Sequence, residues 1–174
     1  MPRLRLARLL LPLLCSLVFA AGGCAHYHLG TGTAPAFTSL YLAPVQNRAG
    51  VSQATAIIST QLREAFLRDG RIALATSPAQ ADAVLTVTLI SYGRETLTAL
   101  ARDTGLARKL GLTLEATASL TEQRTGRVLF AQRPLHAVRQ AFTDSGQLES
   151  ESDAMPLLAE QLGQAAAHSV LDRW

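Results

Sequence analysis

Twelve consecutive residues with a strict period of two constrain the fold of this chain more than any other feature. Apolar side chains at Leu110, Leu112, Leu114, Ala116, Ala118 and Leu120 alternate with Gly111, Thr113, Glu115, Thr117, Ser119 and Thr121. Successive side chains of a β-strand point to opposite faces of the sheet. The pattern therefore predicts a strand with one packed face and one face that is wet or available to a partner.

The stretch that precedes this strand predicts three strands and one helix. Residues 39–45 are typical of a strand that stops at Pro44 and the turn-prone pair Gln46 and Asn47. A helix is predicted from Ser52, its expected cap, to a stop at Asp69 and Gly70, because the apolar residues between them recur every three or four positions. Residues 71–75 and 84–92 predict two further strands.

The stretch that follows predicts one strand and a closing helix. Residues 124–126 supply a turn into a strand that runs through residue 138, and Pro134 marks this strand as bent or as a sheet edge. Acidic residues 149–153 precede the last apolar stripe, where negative charge favours a helix start. We therefore predict an α+β two-layer sandwich: a mixed four- to five-stranded sheet with two helices on one face.

The amino terminus predicts an export signal and a lipid anchor. Three arginines precede an apolar run of thirteen residues, 9–21, too short to span a bilayer comfortably, and small residues then lead to Cys24. Residues 21–24 resemble the bacterial lipobox, which implies cleavage before Cys24 and covalent N-acyl and S-diacylglycerol lipid on it. Ala25, where Asp would imply inner-membrane retention, favours the periplasmic side of the outer membrane. We expect a signal peptide over residues 1–23, a lipidated tether over 24–37 and one domain over 38–174.

The charge balance argues against nucleic-acid binding. The chain has 16 Lys and Arg against 13 Asp and Glu, and the excess of three equals Arg3, Arg5 and Arg8 of the predicted signal. The mature chain is therefore neutral and lacks the positive field that holds a polyanion.

Catalytic and metal-binding motifs are not evident in the sequence. It has no Gly-x-Ser-x-Gly elbow, His-Glu-x-x-His pair or glycine-rich phosphate loop. His26 and His28 lie on the tether without a third ligand, and neither His136 nor His168 accompanies a nucleophile with a neighbouring acid. We expect neither an enzyme nor a metal protein, and the only lipid group expected is the one on Cys24.

Basic residues cluster around the connection between the two best strands. Arg94, Arg102, Arg108 and Lys109 lie there, and arginine binds phosphate in bidentate fashion. The connection is either a solvated loop or a site for an anionic glycolipid. The polar face of the alternating strand, with Thr113, Glu115 and Thr117, is likewise either solvent-facing or a partner face.

The order of these segments resembles the lipopolysaccharide-assembly lipoprotein family LptE, in particular its short members. The resemblance begins at Cys24, continues through Asn47, Asp69-Gly70 and the charged segment around Arg102, and reaches the closing helix, about 150 residues in all. It implies an outer-membrane subunit of the lipopolysaccharide translocon that plugs the LptD-type β-barrel, assists its assembly and engages lipopolysaccharide. Arg102, with Arg108 and Lys109 close by, occupies the place of the family's basic contact to lipid A phosphates. The second basic position of some relatives has no counterpart in residues 143–146.

Two other classes of protein compete with this hypothesis. A periplasmic activator lipoprotein of a peptidoglycan synthase has a similar small domain, but typically a long tether, whereas residues 25–35 reach at most about 40 Å. A lipid hydrolase would need the nucleophile and base that the sequence does not show.

Overall fold

The computed structural model describes residues 36–100, 103–143 and 146–172, with no description of the side chains of Gln53 and residues 98–108. Six strands occur in this part of the chain: β1 (Ser39–Leu42), β2 (Gln46–Asn47), β3 (Ala73–Leu74), β4 (Ala83–Leu100), β5 (Asp103–Glu122) and β6 (Val128–Phe142). Helix α1 (Ser52–Asp69) follows β2 and helix α2 (Gln147–Leu171) closes the domain. A 3₁₀ turn, Pro78–Gln80, precedes β4.

The sheet is mixed and five positions wide, in the order β3-β1-β4-β5-β6. Strands β1 and β3 are parallel to their neighbours, whereas β4, β5 and β6 form an antiparallel meander. Strand β2 continues the line of β1 after Pro44 and pairs with Thr88 and Leu89 of β4. Gln46 and Asn47, predicted as a turn, are therefore strand residues.

Both helices pack on each other and on one face of the sheet, which confirms the predicted two-layer α+β fold. The alternation of β5 is confirmed, because each of its six apolar residues from Leu110 to Leu120 is buried. The largest buried side chains of the other elements are Leu85, Leu89, Ile58, Phe66, Leu158 and Leu162. The opposite face of the sheet, which we call the outer face, is not covered by either helix.

A β-bulge at Ile90 changes which residues of β4 point inward. Leu89 pairs with Ala116 and Ser91 pairs with Glu115, so Ile90 has no partner in the register. Odd-numbered residues up to Leu89 face the helices, whereas Tyr92 and Arg94 do so after the bulge. Such an extra residue restores pairing while reversing the alternation, and the strand continues to Leu100, beyond the predicted end.

Helix starts differ from the predictions. Residue Val51, and not Ser52, is the N-cap of α1, and no side chain caps it. Instead the Asn47 side chain organises the approach: its Nδ2 donates to the carbonyl of Val51 (2.8 Å) and its Oδ1 accepts from the Ala49 N–H (3.1 Å). The end of α1 is as predicted, with Gly70 in the left-handed conformation.

The acidic segment predicted to precede the last helix lies inside it. Helix α2 begins at Gln147, places Glu149 in its first turn and contains Pro156 in its interior. The Ser150 hydroxyl donates to the carbonyls of Phe142 (2.6 Å) and Gly146 (2.8 Å), which fastens the helix start to the end of β6. That contact explains why α2 starts at Gln147. Pro156 consequently lies in the helix interior and not in the first turn, where proline is most favourable.

No helix among the described residues has the length and apolar composition needed to cross a membrane.

Candidate interaction surface

Thr113, Glu115 and Thr117 lie on the outer face of β5, as predicted from the alternation. Their partners on β4 are Gly93, Ser91 and Thr88, and their partners on β6 are Val138, His136 and Pro134. Glu115 is exposed and the two threonines are half-buried between their neighbours. The three side chains therefore occupy the middle of a surface that is three strands wide.

Glu115 is held in place by one hydrogen bond. The Ser91 hydroxyl donates to its carboxylate at 2.7 Å across the β4–β5 pair. This bond exists because the bulge at Ile90 turns Ser91 to the outer face.

In the half of the outer face that approaches the β4–β5 connection, three large apolar side chains are exposed among polar ones. Leu97, Val138 and Phe142 are 42%, 44% and 65% exposed. Gly93 and Gly111 lie between them and have no side chain to cover the backbone. The Leu97 side chain leans over Gly111, where an added Cβ would lie 3.4 Å from it. Exposed large apolar side chains next to one another are typical of an interaction surface.

These apolar residues were not predicted as part of a site. Val138 and Phe142 alternate with the buried residues Ala137 and Ala141, so their outward direction was available from the period of β6. The outward direction of Leu97 could not be predicted in this way, because the bulge at Ile90 reverses the alternation of inward and outward residues in β4.

One of the predicted basic residues, Arg94, contacts helix α2. Strands β4 and β5 continue to Leu100 and Asp103, which pair with each other, so the connection is a hairpin. Arg94 faces the helices and its Nη1 lies 3.3 Å from the carboxylate of Glu151 on α2. It is thus a structural residue that ties the hairpin to α2.

The other predicted basic residues lie toward the end of the hairpin. Lys109 places its ammonium 5.6 Å from the centroid of the Phe142 ring, a cation–π contact on the outer face. Arg108 is a residue of β5 whose side chain lies outside the description, and Arg102 lies outside the described residues altogether.

Two positions on the free edge of β6 are blocked against pairing with another strand. Pro134 has no N–H there, and the Val138 N–H donates to Oε1 of Gln161 on α2 (3.2 Å). The bulge near Gln132, where φ is +48°, lies at the start of this strand. On the other side of the sheet β3 has only two residues, and among the described residues β4 beyond Leu89 pairs with β5 alone. The edge of β6 is therefore a poorer docking surface than the outer face.

No group of three or more His, Cys, Asp or Glu residues that could hold a metal ion occurs in the part of the chain that the structure describes. His168 donates from Nδ1 to Asp172 one turn further along α2 (2.5 Å).

Solved structures share this two-layer arrangement. A minor lipoprotein from Acinetobacter baumannii is 19% identical with a TM-score of 0.51, and the alignment covers 79% of this chain and 96% of that one. A protein from Xanthomonas campestris is 17% identical with a TM-score of 0.52, covering 75% and 82%. A hypothetical protein from Chlamydia trachomatis is 12% identical with a TM-score of 0.50, covering 76% and 95%. The fold is thus one that small bacterial lipoproteins also adopt.

The chain belongs to the LptE family, whose model, described as lipopolysaccharide-assembly, matches residues 37–173. The family consists of non-catalytic assembly lipoproteins of the bacterial envelope. The search of curated proteins gave no match.

Proposed function

We propose that this protein is a lipid-anchored, non-enzymatic subunit of the outer-membrane lipopolysaccharide translocon, which plugs an LptD-type β-barrel and assists its assembly. The observation that carries the proposal is the match of the LptE family model to residues 37–173. Acylation of Cys24, after removal of residues 1–23, would hold the domain of residues 38–174 on the periplasmic side of the outer membrane through the tether of residues 24–37. Two or more acyl chains give stable anchoring.

The outer face supports the plug role. It is broad, it is free of both helices, and it carries hydroxyl groups in one half and exposed apolar side chains in the other. The blocked positions Pro134 and Val138 argue against strand addition at β6, and docking by the face around Thr113, Glu115 and Thr117 is the mode we propose.

Engagement of lipopolysaccharide is proposed for the end of the hairpin. Arg102 lies between Leu100 and Asp103 in sequence, and Arg108 and Lys109 belong to the neighbouring part of β5. Guanidinium groups bind phosphates through paired hydrogen bonds. These three residues offer the positive charge that lipid A phosphates require.

The plug role is tested by affinity purification of the tagged chain from outer membranes. We expect co-purification of an LptD-type barrel, and loss of most of it from the double variant Thr113→Arg/Thr117→Arg, because two long cations would separate the face from its partner. Thr60→Arg, at an exposed position of α1, is the matched control and should retain the barrel. Recovery of a peptidoglycan synthase, or equal recovery from both variants, would contradict the proposal.

The glycolipid contact is tested separately. The triple variant Arg102→Gln/Arg108→Gln/Lys109→Gln should bind purified lipopolysaccharide about tenfold more weakly, as expected for the loss of charge-assisted phosphate bonds. Arg63→Gln, at an exposed position of α1, is the control, because it removes the same type of charge at a site away from the hairpin. Equal affinity of the triple variant and the control would refute this part of the mechanism while leaving the plug role intact.

A further inference from the structure

The end of the domain where the tether enters carries two exposed arginines on one turn. This turn, residues 123–127, joins β5 to β6, and we call it the β5–β6 turn. Arg124 and Arg127 are both exposed. Arg124 lines a surface cavity of about 460 Å³ together with Ala36, Phe37, Thr38 and Asp82. The first residue after the tether and this arginine therefore share one surface.

Hydrogen bonds lock the turn to the tether entry. The Gln123 N–H donates to the carbonyl of Asp82 (2.7 Å), and the Asp82 carboxylate accepts from Thr38 N, Thr38 Oγ1 and Ser39 N, each at 2.9 Å. Because Asp82 holds both segments, any force on the tether acts directly on the turn.

Neighbouring acids leave at least one of the two guanidinium groups available. Glu122 lies 3.7 Å from Nε of Arg127 and also accepts from the Thr125 hydroxyl. Among the described residues, none places a carboxylate within ion-pair distance of Arg124. The Asp82 carboxylate, which lines the same cavity, accepts from three neutral donors and forms no ion pair with Arg124.

Chain length decides which end of the domain is near the membrane. From Cys24 to Ala36 the chain has no Asp, Glu, Lys or Arg and reaches at most about 40 Å when extended. The β4–β5 connection lies at the opposite end of the sheet, because β4 runs from Ala83 beside the tether entry to Leu100, about 55 Å at 3.3 Å per residue. The β5–β6 turn is thus the basic element that the anchor brings to the bilayer.

We propose that Arg124, supported by Arg127, binds the phosphate headgroups of the phospholipids in the membrane that anchors Cys24. Guanidinium groups pair with phosphate oxygens in bidentate fashion, and the covalent anchor makes this second contact intramolecular, so that a weak contact is populated. This inference rests on the proposed lipid anchor.

The test separates the headgroup contact from native acylation. Cys24 is the only cysteine after residue 23, so residues 24–174 are coupled through its thiol to maleimide-bearing lipid in phosphatidylethanolamine–phosphatidylglycerol vesicles. An environment-sensitive fluorescent amino acid is placed at Gln123 or, as a control, at Thr60 on α1. Lipids with a nitroxide on the headgroup serve as the quencher.

Quenching at position 123 should exceed that at position 60 by roughly twofold or more, since basic residues concentrate at an anionic surface. Arg124→Gln, alone or with Arg127→Gln, should lower quenching at position 123, whereas Arg63→Gln should not. Salt near 1 M, where the Debye length is about 3 Å, should have the same effect as the double variant. Equal quenching at both positions, or no response to Arg124→Gln, would overturn the proposal. Failure of native lipidation is read independently, by acyl labelling of the Cys24→Ala variant.

Discussion

At the residue scale, Asp82 decides how the chain enters the domain. Three donors converge on its Oδ2 atom from Thr38 and Ser39, while its own N–H donates to the Ser39 hydroxyl (2.9 Å). These hydrogen bonds, that from the backbone N–H of Thr38 first, lower the pKa of Asp82 to about 2. The carboxylate is therefore charged at every physiological pH and holds β1 beside the start of β4.

Asp82 should make stability depend on acid pH. An aspartate has a pKa near 3.9 in an unfolded chain, so a folded-state pKa of about 2 adds stability that is fully present above about pH 4. This contribution is lost as pH falls from about 4 to 2. Asp82→Asn should melt below the wild type at pH 7, and the difference should narrow in this acid window. Thermal melts at pH 7, 4 and 2.5 measure it, and a constant difference between the two proteins would contradict the assignment.

Residue identity alone predicted some of these roles and missed others. Asn47 was noted in the sequence as part of a segment order, but its hydrogen bonds depend on backbone geometry, and those of Asp82 join residues that are far apart in the chain. Arg94 was counted among basic residues that form either a solvated connection or a glycolipid site, yet the bulge four residues earlier turns it toward Glu151. A single inserted residue of this kind leaves no reliable mark in the periodicity.

At the element scale, the two helices approach each other closely at Gly163. A Cβ built there would lie 2.8 Å from the carbonyl oxygen and 3.0 Å from the carbonyl carbon of Gln61 on α1. Backbone atoms are in the way, so relief requires the helices to separate. The small residue is thus needed for the contact between α1 and α2.

Gly163→Ala should destabilise the domain by about 1 to 3 kcal/mol, the usual cost of overpacking. At an unhindered helix position the same change stabilises by roughly 0.5 to 1 kcal/mol, so the sign itself is informative. Gln164→Ala, one residue along and exposed, is the control and should change stability little. Urea unfolding measures both variants, and a rise in stability for Gly163→Ala would show that the helices are not in contact there.

The edge strand gives a second prediction at this scale. The Val138 N–H on the free edge of β6 donates to the Gln161 side chain, and Pro134 on the same edge has no N–H to donate. Gln161→Ala/Pro134→Val should therefore expose a row of pairing groups and increase self-association, with little change in the stability of the monomer. Light scattering across protein concentration tests this, with Gln164→Ala as the matched helix variant. A monomer at all concentrations would mean that the edge is protected by something other than these two residues.

Elements were predictable where one face is buried and periodicity is unbroken. The six buried residues of β5, both apolar helix stripes and the edge position of Pro134 follow from the sequence. The start of α2 was not predictable, because the Ser150 contact with Phe142 that fixes it is tertiary. The extension of β4 past Tyr92 was also missed, since its inward residues Arg94 and Thr96 are polar and carry no hydrophobic signal.

At the scale of the whole molecule, the domain has two distinct ends and two distinct faces. Residues 36–38 and the β5–β6 turn lie at one end, the hairpin with Lys109 lies at the other, and the helices leave the outer face of the sheet open. The fold class followed from the sequence, and so did the outward direction of Phe142, whereas that of Leu97 emerged only from the strand register. The open outer face is the surface on which the proposed plug role depends.

Photocrosslinking in intact cells tests the central claim most directly. A photoreactive amino acid is introduced at Thr113, Glu115 or Thr117, and for comparison at Thr60 or Glu64 on the exposed surface of α1. We predict that the outer-face positions capture an LptD-type barrel protein and that the α1 positions capture it much less. Capture of a peptidoglycan synthase from Thr113, Glu115 and Thr117, or capture of the barrel from α1 alone, would contradict the account.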